Sequence, residues 1–322
     1  MTGFQNMAPV VAAIPGVLVS CGEPMARHTS LRVGGPVDLM VRVGNEAAMV
    51  AVLDRLAQEG CPWVALGAGT NLLVTDEGLD GAAIRLVGDL ERVALAEGPM
   101  VEAGAGVGVG RVLKVIEDAS LAGLEFLTGI PGTIGGAVAM NAGTRYGYVN
   151  SRLIEARLAS RDGAEWVPAD RLGLSYRHSE MAPGSVVCAA RFRLQAGRGE
   201  EARRIVEDLE LTRRLRHPPA AGTAGSFFKN PDPARGLFAG KMIEAAGLKG
   251  TCVGGAVVSP IHANFLTNAG NATARDLLML AAKVREEVLS RTGVALELEV
   301  RVVGRGAGDY LAMLGGDHVL GA

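Results

Sequence analysis

The segment GIPGTIGGAVAMNAG, Gly129 to Gly143, is rich in glycine, has no charged side chain and carries Asn141 as its main polar group. Such a segment can lie flat against a large ligand, because glycine lets the backbone approach closely. A second glycine segment, GAGTN at residues 67–71, follows a predicted strand in PWVALG. Two such loops indicate a long, phosphate-bearing cofactor; the alternative for either loop taken alone is a tight turn that uses glycine for its positive φ.

The GAGTN segment does not match the dinucleotide fingerprint of Rossmann enzymes. GAGTNL lacks the third glycine of GxGxxG, the next predicted element is a strand rather than a helix, and no acidic residue stands about twenty positions later at a strand end. The spacing therefore excludes an NAD-dependent Rossmann dehydrogenase. It leaves phosphate binding and a simple loop as alternatives for this segment.

Composition narrows the class of protein further. A chain of 322 residues suggests two or three domains, and its 45 glycines are about twice the usual share. The formal net charge of −2 argues against a general nucleic-acid binder. The four cysteines form no CxxC pair and have no histidine at zinc spacing, so we expect neither disulfides nor a metal, and a reducing compartment.

No targeting or membrane segment is recognisable. The first positive side chain is Arg27, and Pro15 interrupts the mildly apolar N-terminal segment, unlike a secretory signal. No stretch has the roughly 20 uninterrupted apolar residues that a membrane span requires. We therefore expect a cytoplasmic protein that works without nucleic-acid or membrane partners.

The periodicity of apolar residues predicts a mixed α+β chain with a boundary near residue 200. A run of strands and two helices occupies the first part, and a charged amphipathic helix is predicted from Gly199 to Arg216. A further long helix is predicted from Ala274 to Arg291, followed by a strand in ALELEVRVVG, residues 295–304. The tail, residues 305–322, shows no pattern that assigns it a role.

Seven motifs occur in the order typical of one enzyme family. They are HTSLRVGGPVDLMV, LGAGTNLLV, GIPGTIGGAVAMNAG, SYRHSEM, AGSFFKNP, HANFLTN and ELEVRVVG. From them the chain resembles the UDP-N-acetylenolpyruvoylglucosamine reductases over residues 20–304. The resemblance implies a vanillyl-alcohol-oxidase (PCMH) type FAD-binding fold in two subdomains, 20–86 and 87–198, and a C-terminal α+β substrate-binding domain, 199–304. It also implies that FAD is held noncovalently.

The resemblance assigns the cofactor to the two glycine segments. Residues expected to wrap the FAD pyrophosphate are Gly67, Ala68, Gly69, Thr70 and Asn71. Residues expected to line the cofactor are Ile130, Pro131, Gly132, Thr133, Gly135 and Gly136, beside Asn141, Ala142 and Gly143. Backbone N–H groups suit this task, because they stabilise phosphate charge without a metal or a long side chain.

The implied reaction has two halves. NADPH reduces FAD, and hydride then passes from the flavin to the vinyl C3 of UDP-N-acetylglucosamine enolpyruvate, which gives UDP-N-acetylmuramate for peptidoglycan synthesis. Hydride addition leaves negative charge at C2 and on the adjacent carboxylate. The site therefore needs groups that stabilise this charge, and a proton donor at C2.

Three residues match the family's catalytic positions. Arg177 in SYRHSEM would contact the substrate carboxylate, and Ser226 in AGSFFKNP would deliver the proton to C2. Glu299 would stand beside the carboxylate; Glu297 is its rival, because strand alternation puts both on one face, and the EVR context selects Glu299. Ser226 is not expected to act as a nucleophile, because GxSxG is absent.

The remaining assignments concern the substrate and the surroundings of the site. Lys229 and Asn230 are candidates for contacts with the UDP-sugar. The basic run Arg213–His217, which includes Arg214, could meet its diphosphate, although a basic run at a helix end is commonly a solvated surface. His262 is expected to be structural, and Phe227 and Phe228 to anchor the Ser226 loop in apolar surroundings. We find no counterpart of the substrate-covering tyrosine loop of some family members. We expect a monomer; the alternative function is a non-catalytic flavin or nucleotide-sugar binding protein.

Overall fold

The computed structural model describes residues 3–197 and 199–314, which divide into two compact units. The first unit consists of the chain up to Cys21, Asp38–Ala68 and Gly81–Arg213, and the second of Gly22–Val37, Gly69–Asp80 and the chain from Arg214 onward. No helix within the described ranges combines the length and the hydropathy of a membrane span. Of the four free cysteines, Cys61 and Cys188 are buried, whereas Cys21 and Cys252 are exposed.

The secondary structure mixes helices and short strands along the whole described chain. The helices are α1 (Ala8–Ala12), α2 (Glu46–Gln58), α3 (Val109–Asp118), α4 (Ile134–Ala139), α5 (Glu200–Arg216), α6 (Ala239–Ala245), α7 (Ala274–Thr292) and α8 (Ala307–Met313). The strands are β1 (Val17–Pro24), β2 (Pro36–Val43), β3 (Trp63–Ala65), β4 (Leu72–Val74), β5 (Leu79–Leu86), β6 (Val93–Ala96), β7 (Met100–Gly104), β8 (Leu121–Ala122), β9 (Gly143–Thr144), β10 (Gly147–Tyr148), β11 (Leu153–Ser160), β12 (Gly163–Pro168), β13 (Val186–Arg193), β14 (Gln195–Ala196), β15 (Cys252–Val253), β16 (Ala256–Val258), β17 (Leu266–Asn268) and β18 (Arg301–Val303).

Two sheets dominate the first unit. One has the strand order β1-β2-β5-β3, in which β3 runs parallel to β5. The other has the order β12-β11-β13-β7-β6 and is antiparallel throughout. Apolar side chains from these strands and from α2, α3 and α4 form one buried cluster. The cluster includes Ile134, Ala137, Val138 and Ala142 of the Gly129–Gly143 segment.

Helix α2 shows how the local sequence fixes an element of this unit. The side chain of Asn45 accepts a 2.9 Å hydrogen bond from the amide of Ala48 and so caps the helix. Arg157 donates two hydrogen bonds, of 2.8 and 2.9 Å, to the carboxylate of Glu46 in the first turn. The hydrogen bond from Arg157 lowers the pKa of Glu46, although burial opposes the shift. The pair thereby joins α2 to β11.

The second unit is built around helix α7. Its buried face meets the antiparallel sheet β15-β16-β17, and β18 pairs in parallel with β4. Thr273 and Asp276 form a capping box at the start of α7, and Gly293 ends the helix with φ 72°. Phe227 and Phe228 belong to the same apolar core and are fully buried. The apolar anchoring predicted for these two side chains is therefore confirmed.

The long helices lie where the sequence predicts them, and two other segments differ from the prediction. The helices predicted near residues 199–216 and 274–291 are confirmed as α5 and α7. The strand predicted for residues 295–304 is wrong in extent: only Arg301–Val303 pairs as β18, and Leu298 makes a single bridge to Phe228, because the intervening backbone bonds to the Ser226 loop. The glycine segment contains the unpredicted helix α4, whose apolar side chains are buried.

The tail has a structural role that its sequence does not indicate. Arg305 donates to Asp80 Oδ1 at 2.6 Å and to the carbonyl oxygen of Glu77 at 2.8 Å, and the Tyr310 hydroxyl lies 3.0 Å from Glu77 Oε1. Helix α8 adds Tyr310 and Leu311 to the core of the second unit. The tail thus holds the turn after β4. Residues 315–322 lie outside the described part of the chain.

Candidate active site

The two glycine segments meet in the first unit. A side chain on Gly67 would place its Cβ only 2.6 Å from Oγ1 of Thr133. That hydroxyl caps helix α4 through a 3.4 Å hydrogen bond from the amide of Gly136. Gly132 is fixed by its carbonyl oxygen, which accepts a 3.0 Å hydrogen bond from Val109. Residues that are 66 positions apart in sequence, Gly67 and Thr133, therefore form one cradle of backbone.

The amides of this cradle fit a phosphate-bearing cofactor. Within residues 3–197 and 199–314, no protein acceptor binds the N–H groups of Gly67, Ala68, Gly132 or Thr133. These residues are half-buried or exposed, so their amides are open to an acceptor from outside the chain. Phosphate oxygens are suitable acceptors for such groups. The residues present thus fit the pyrophosphate of FAD.

Other predicted cofactor residues shape the cradle through protein contacts. The amide of Gly135 donates to Ala105 at 2.8 Å, and a Cβ on Gly135 would lie 2.9 Å from that of Ala105. A Cβ on Gly143 would lie 2.3 Å from the carbonyl oxygen of Gly147. Ile130 and Gly136 flank these positions, Pro131 is exposed, and Ala142 is buried. Direct cofactor contact by these residues remains a prediction.

Asn141 joins this loop to the loop that carries Arg177. Asn141 is 2% exposed, adopts φ 40°, and donates from Nδ2 to the carbonyl oxygen of Ser175 at 2.9 Å. Its Oδ1 accepts from the amide of Asn150 at 2.9 Å. Arg177 in turn donates from Nη2 to the carbonyl oxygen of Gly143 at 3.3 Å. The predicted carboxylate-binding arginine therefore lies against the end of the predicted cofactor loop.

The remaining part of GAGTN belongs to the second unit. Gly69 adopts φ 65°, and a Cβ there would lie 2.0 Å from the carbonyl oxygen of His28, so only glycine fits. The side chain of Asn71 donates to the carbonyl oxygen of Glu299 at 3.1 Å, and the amide of Arg301 donates to Asn71 at 3.1 Å. Thr70 lies between these anchored residues. The structure thus connects a predicted cofactor residue to a predicted catalytic one.

The Ser226 loop is held on both sides by backbone hydrogen bonds. The carbonyl oxygen of Asn264 accepts from the amide of Phe227 at 2.8 Å. The Asn264 side chain accepts from the amide of Phe228 at 3.0 Å and donates to its carbonyl oxygen at 2.8 Å. Glu299 donates from its amide to the carbonyl oxygen of Phe227 at 2.9 Å. Ser226, which is partly exposed, is therefore presented by a rigid loop beside Glu299.

The two candidate glutamates have different surroundings. Glu297 is exposed and pairs with Lys229, whose Nζ lies 3.4 Å from Glu297 Oε2. Glu299 is more buried and lies next to the backbone of the Ser226 loop. The structure therefore brings Ser226 and Glu299 together within the second unit, while Arg177 belongs to the first.

The predicted substrate residues differ in how firmly they are held. Asn230 accepts a 3.1 Å hydrogen bond from the amide of Ala239 and so fixes the start of α6. Arg214 is exposed near the end of α5. The neighbouring Arg213, which sequence reasoning placed in the basic run near the substrate diphosphate, lies against the glycine loop. Asn264 holds the Ser226 loop, and sequence reasoning missed it. The HANFLTN motif drew attention to His262 rather than to Asn264.

His262 is part of an aromatic cluster. Its ring lies 5.6 Å from that of His217 and 4.8 Å from that of Phe265, measured between centroids. Nδ1 accepts a hydrogen bond of 3.2 Å from the amide of Asn264. Burial, with a contribution from Lys249, lowers the pKa of His262 and favours the neutral ring. These contacts support the structural role expected of this histidine, because they hold the backbone that clamps the Ser226 loop.

Comparisons with known proteins extend over most of the chain. Residues 217–303 match the family model described as UDP-N-acetylenolpyruvoylglucosamine reductase, C-terminal domain, and residues 37–167 match the model described as FAD binding domain. The UDP-N-acetylenolpyruvoylglucosamine reductase of Geobacter metallireducens is 46% identical over 88% of this chain and 93% of its own length. That of Anaeromyxobacter dehalogenans is 44% identical over 91% and 88%.

A solved structure agrees with the family models and with the sequence relatives. The crystal structure of the UDP-N-acetylenolpyruvylglucosamine reductase from Thermus caldophilus superposes with a TM-score of 0.77 and 35% identity, over 89% of this chain and 98% of that one. The fold, the cofactor cradle and these matches define an FAD-dependent oxidoreductase of the vanillyl-alcohol-oxidase type with a C-terminal α+β domain. The predicted fold class is thus confirmed.

The chain belongs to the family of UDP-N-acetylenolpyruvoylglucosamine reductases. It reduces UDP-N-acetylglucosamine enolpyruvate to UDP-N-acetylmuramate in peptidoglycan precursor synthesis, with FAD as cofactor and NADPH as co-substrate. The predicted activity and cofactor are confirmed. The findings do not support the alternative of a non-catalytic binding protein.

Proposed function

We propose that Ser226 donates the proton to C2 of the enolpyruvyl group in this reduction. The observation that carries the proposal is the backbone hydrogen bond between Glu299 and Phe227, which fixes the serine loop beside the glutamate. A serine hydroxyl is a weak acid, so it needs a rigid position and nearby groups that stabilise charge. The loop provides the rigid position, because Phe227 and Phe228 are buried and both are bonded to Asn264.

Arg177 and Glu299 then act on the carboxylate next to C2. The guanidinium of Arg177 can present two parallel N–H donors to a carboxylate, and it stabilises the charge that develops there. Glu299 polarises the intermediate or takes part in the proton path. Its backbone contacts with the Ser226 loop and with Asn71 support this role, because they limit its position to the neighbourhood of the proton donor.

Backbone amides of the glycine cradle hold the cofactor noncovalently. Gly67, Ala68, Gly132 and Thr133 would donate to its phosphate oxygens, and Gly69–Asn71 would continue this contact. When bound, FAD supplies the hydride that it has accepted from NADPH. Lys229, Asn230 and Arg214 bind the UDP-sugar, with Lys229 changing its partner from Glu297 to a phosphate oxygen.

The organisation of the chain follows the same proposal. Residues 20–86 and 87–198 form the FAD-binding subdomains, and residues 199–304 the substrate-binding domain. We further propose that the protein works as a monomer in the cytoplasm, without nucleic-acid or membrane partners. The four free cysteines are consistent with a reducing compartment.

Anaerobic half-reaction kinetics test the role of Ser226. In Ser226→Ala, reduction of FAD by NADPH should stay near the wild-type rate, whereas reoxidation by the sugar nucleotide should slow roughly 10²- to 10⁴-fold. Ser290→Ala is the control, because Ser290 is an exposed serine of the same unit. Equal loss of both half-reactions in Ser226→Ala would mean a defect in folding or in cofactor binding and would overturn the assignment.

A further inference from the structure

Arg213 lies directly on the glycine loop that begins at Gly129. A Cβ on Gly129 would lie 3.0 Å from Cδ of Arg213 and 3.9 Å from its Nε and Nη1. Gly129 adopts φ 75°, a conformation that favours glycine. The absence of a side chain at Gly129 therefore lets the guanidinium pack against the backbone of the loop. Both residues belong to the first unit.

In the part of the chain that the structure describes, the guanidinium of Arg213 has no counter-charge. Among the described residues it forms no ion pair or hydrogen bond, and burial lowers its pKa. Arg214, the next residue, is exposed, so the two neighbouring arginines have different environments. Asp208, a carboxylate on the same helix, pairs with Arg145 instead. Arg213 is half-buried, and a partly desolvated cation gains more from an anionic partner than a fully solvated one does, so the arrangement suits an external anion.

The position of Arg213 indicates which anion this is. Gly129 leads into Gly132 and Thr133, whose amides are available to a phosphate-bearing ligand. We infer that Arg213 supplies positive charge to an anionic group of bound FAD, an inference that rests on the proposed role of this cradle in holding the cofactor. This group is either the pyrophosphate or the N1–C2=O edge of the isoalloxazine ring, which becomes negative on reduction. An arginine suits both, because its planar fork can donate two hydrogen bonds to adjacent acceptors.

The test compares Arg213→Met, which keeps an apolar stem and removes the charge, with Arg213→Lys, which keeps the charge. FAD is titrated into apo-protein at low and high ionic strength, and the midpoint potential of the bound flavin is measured. Arg204→Ala serves as the control, because Arg204 is an exposed arginine of the same helix. Circular dichroism and thermal unfolding establish that the variants fold, and Arg213→Gln replaces the methionine variant if that variant does not.

If Arg213 contacts the pyrophosphate, the affinity of Arg213→Met for oxidised FAD should be roughly 10- to 100-fold lower than that of wild type, and it should depend less on salt. If Arg213 instead contacts the ring edge, Arg213→Met should bind oxidised FAD with near wild-type affinity, and the midpoint potential of its bound flavin should be more negative. In either case Arg213→Lys should recover part of the loss. The inference is overturned if Arg213→Met keeps the wild-type FAD affinity and midpoint potential. This holds also if the variant changes only the KM for the sugar nucleotide. Failure of the wild-type protein to bind FAD would instead overturn the proposed cradle.

Discussion

The amide of Glu299 donates a 2.9 Å hydrogen bond to the carbonyl oxygen of Phe227, the residue that follows Ser226. The amide of Lys229 makes the same kind of bond, of 2.8 Å, to Glu297. The Ser226 loop is thus attached to the chain around Glu299 by its backbone. A substitution at either side chain leaves these bonds in place, so the chemistry of Ser226 and Glu299 can be tested without moving the loop.

Loss of the Asn264 side chain should loosen the Ser226 loop. Asn264→Ala leaves the buried amide and carbonyl of Phe228 without their partners. We expect the free energy of unfolding to fall by about 3 kcal/mol, and flavin reoxidation by the sugar nucleotide to slow. Urea denaturation and stopped-flow kinetics measure the two effects. Asn271→Ala, at an exposed loop position, should change stability by less than about 0.5 kcal/mol.

The two glutamates near this loop should respond differently to neutralisation. Glu299→Gln should slow the reaction with the sugar nucleotide about 10²-fold, because an amide cannot take up and release a proton as a carboxyl group does. Glu297→Gln removes an exposed ion pair with Lys229 and should cost less than about 1 kcal/mol of stability. Single-turnover rates decide the question: the opposite ranking of the two variants would identify Glu297 as the functional carboxylate.

A methyl group at Gly67 should open the cofactor cradle. In Gly67→Ala the new Cβ would lie 2.6 Å from Thr133 Oγ1, so the two loops must separate or the cap of α4 must break. FAD affinity should fall by at least about tenfold, which corresponds to 1.4 kcal/mol, as measured by fluorescence titration. Gly110→Ala is the matched control: Gly110 lies in α3 with nothing within 4 Å of its Cβ position. It should leave FAD binding unchanged.

The capping box of α7 should make stability depend on acid pH. Backbone hydrogen bonds from Thr273 and Gly255 lower the pKa of Asp276 below its usual 3.8. The unfolded chain therefore takes up this proton first, so the stabilisation is complete above pH 3.8 and is lost as pH falls through the folded-state pKa.

Asp276→Asn should accordingly cost about 1 kcal/mol at neutral pH, and its difference from wild type should shrink below about pH 4. Urea denaturation at a series of pH values measures this change. Asp162→Asn, at an exposed turn, should show no comparable pH-dependent difference. A difference that is constant from pH 7 to the acid limit would contradict the carboxylate's part in the cap.

The sequence predicted those parts of the fold that depend on local pattern. Helices α5 and α7 follow from apolar periodicity, and the family motifs indicated the cofactor. The pairing of Gly67 with Thr133 and the clamp at Asn264 involve residues far apart in the chain, and no local pattern encodes them. The contact of Arg213 with the glycine loop is also between distant residues, so the sequence alone cannot distinguish Arg213 from Arg214. Helix α4 was missed because burial of Ile134 and Val138 overrides the low helix propensity of its glycines.

Two of the four cysteine thiols are buried and two are exposed, which suits the protein to labelling with fluorescent dyes. Burial raises the pKa of Cys61 and of Cys188 to about 12, so both should resist maleimide reagents in the folded chain. Cys21 and Cys252 are exposed, and one lies in each unit. The unmutated protein can therefore carry a donor dye on one unit and an acceptor dye on the other. Energy transfer between the dyes would then follow the response of the two units to FAD and to the sugar nucleotide.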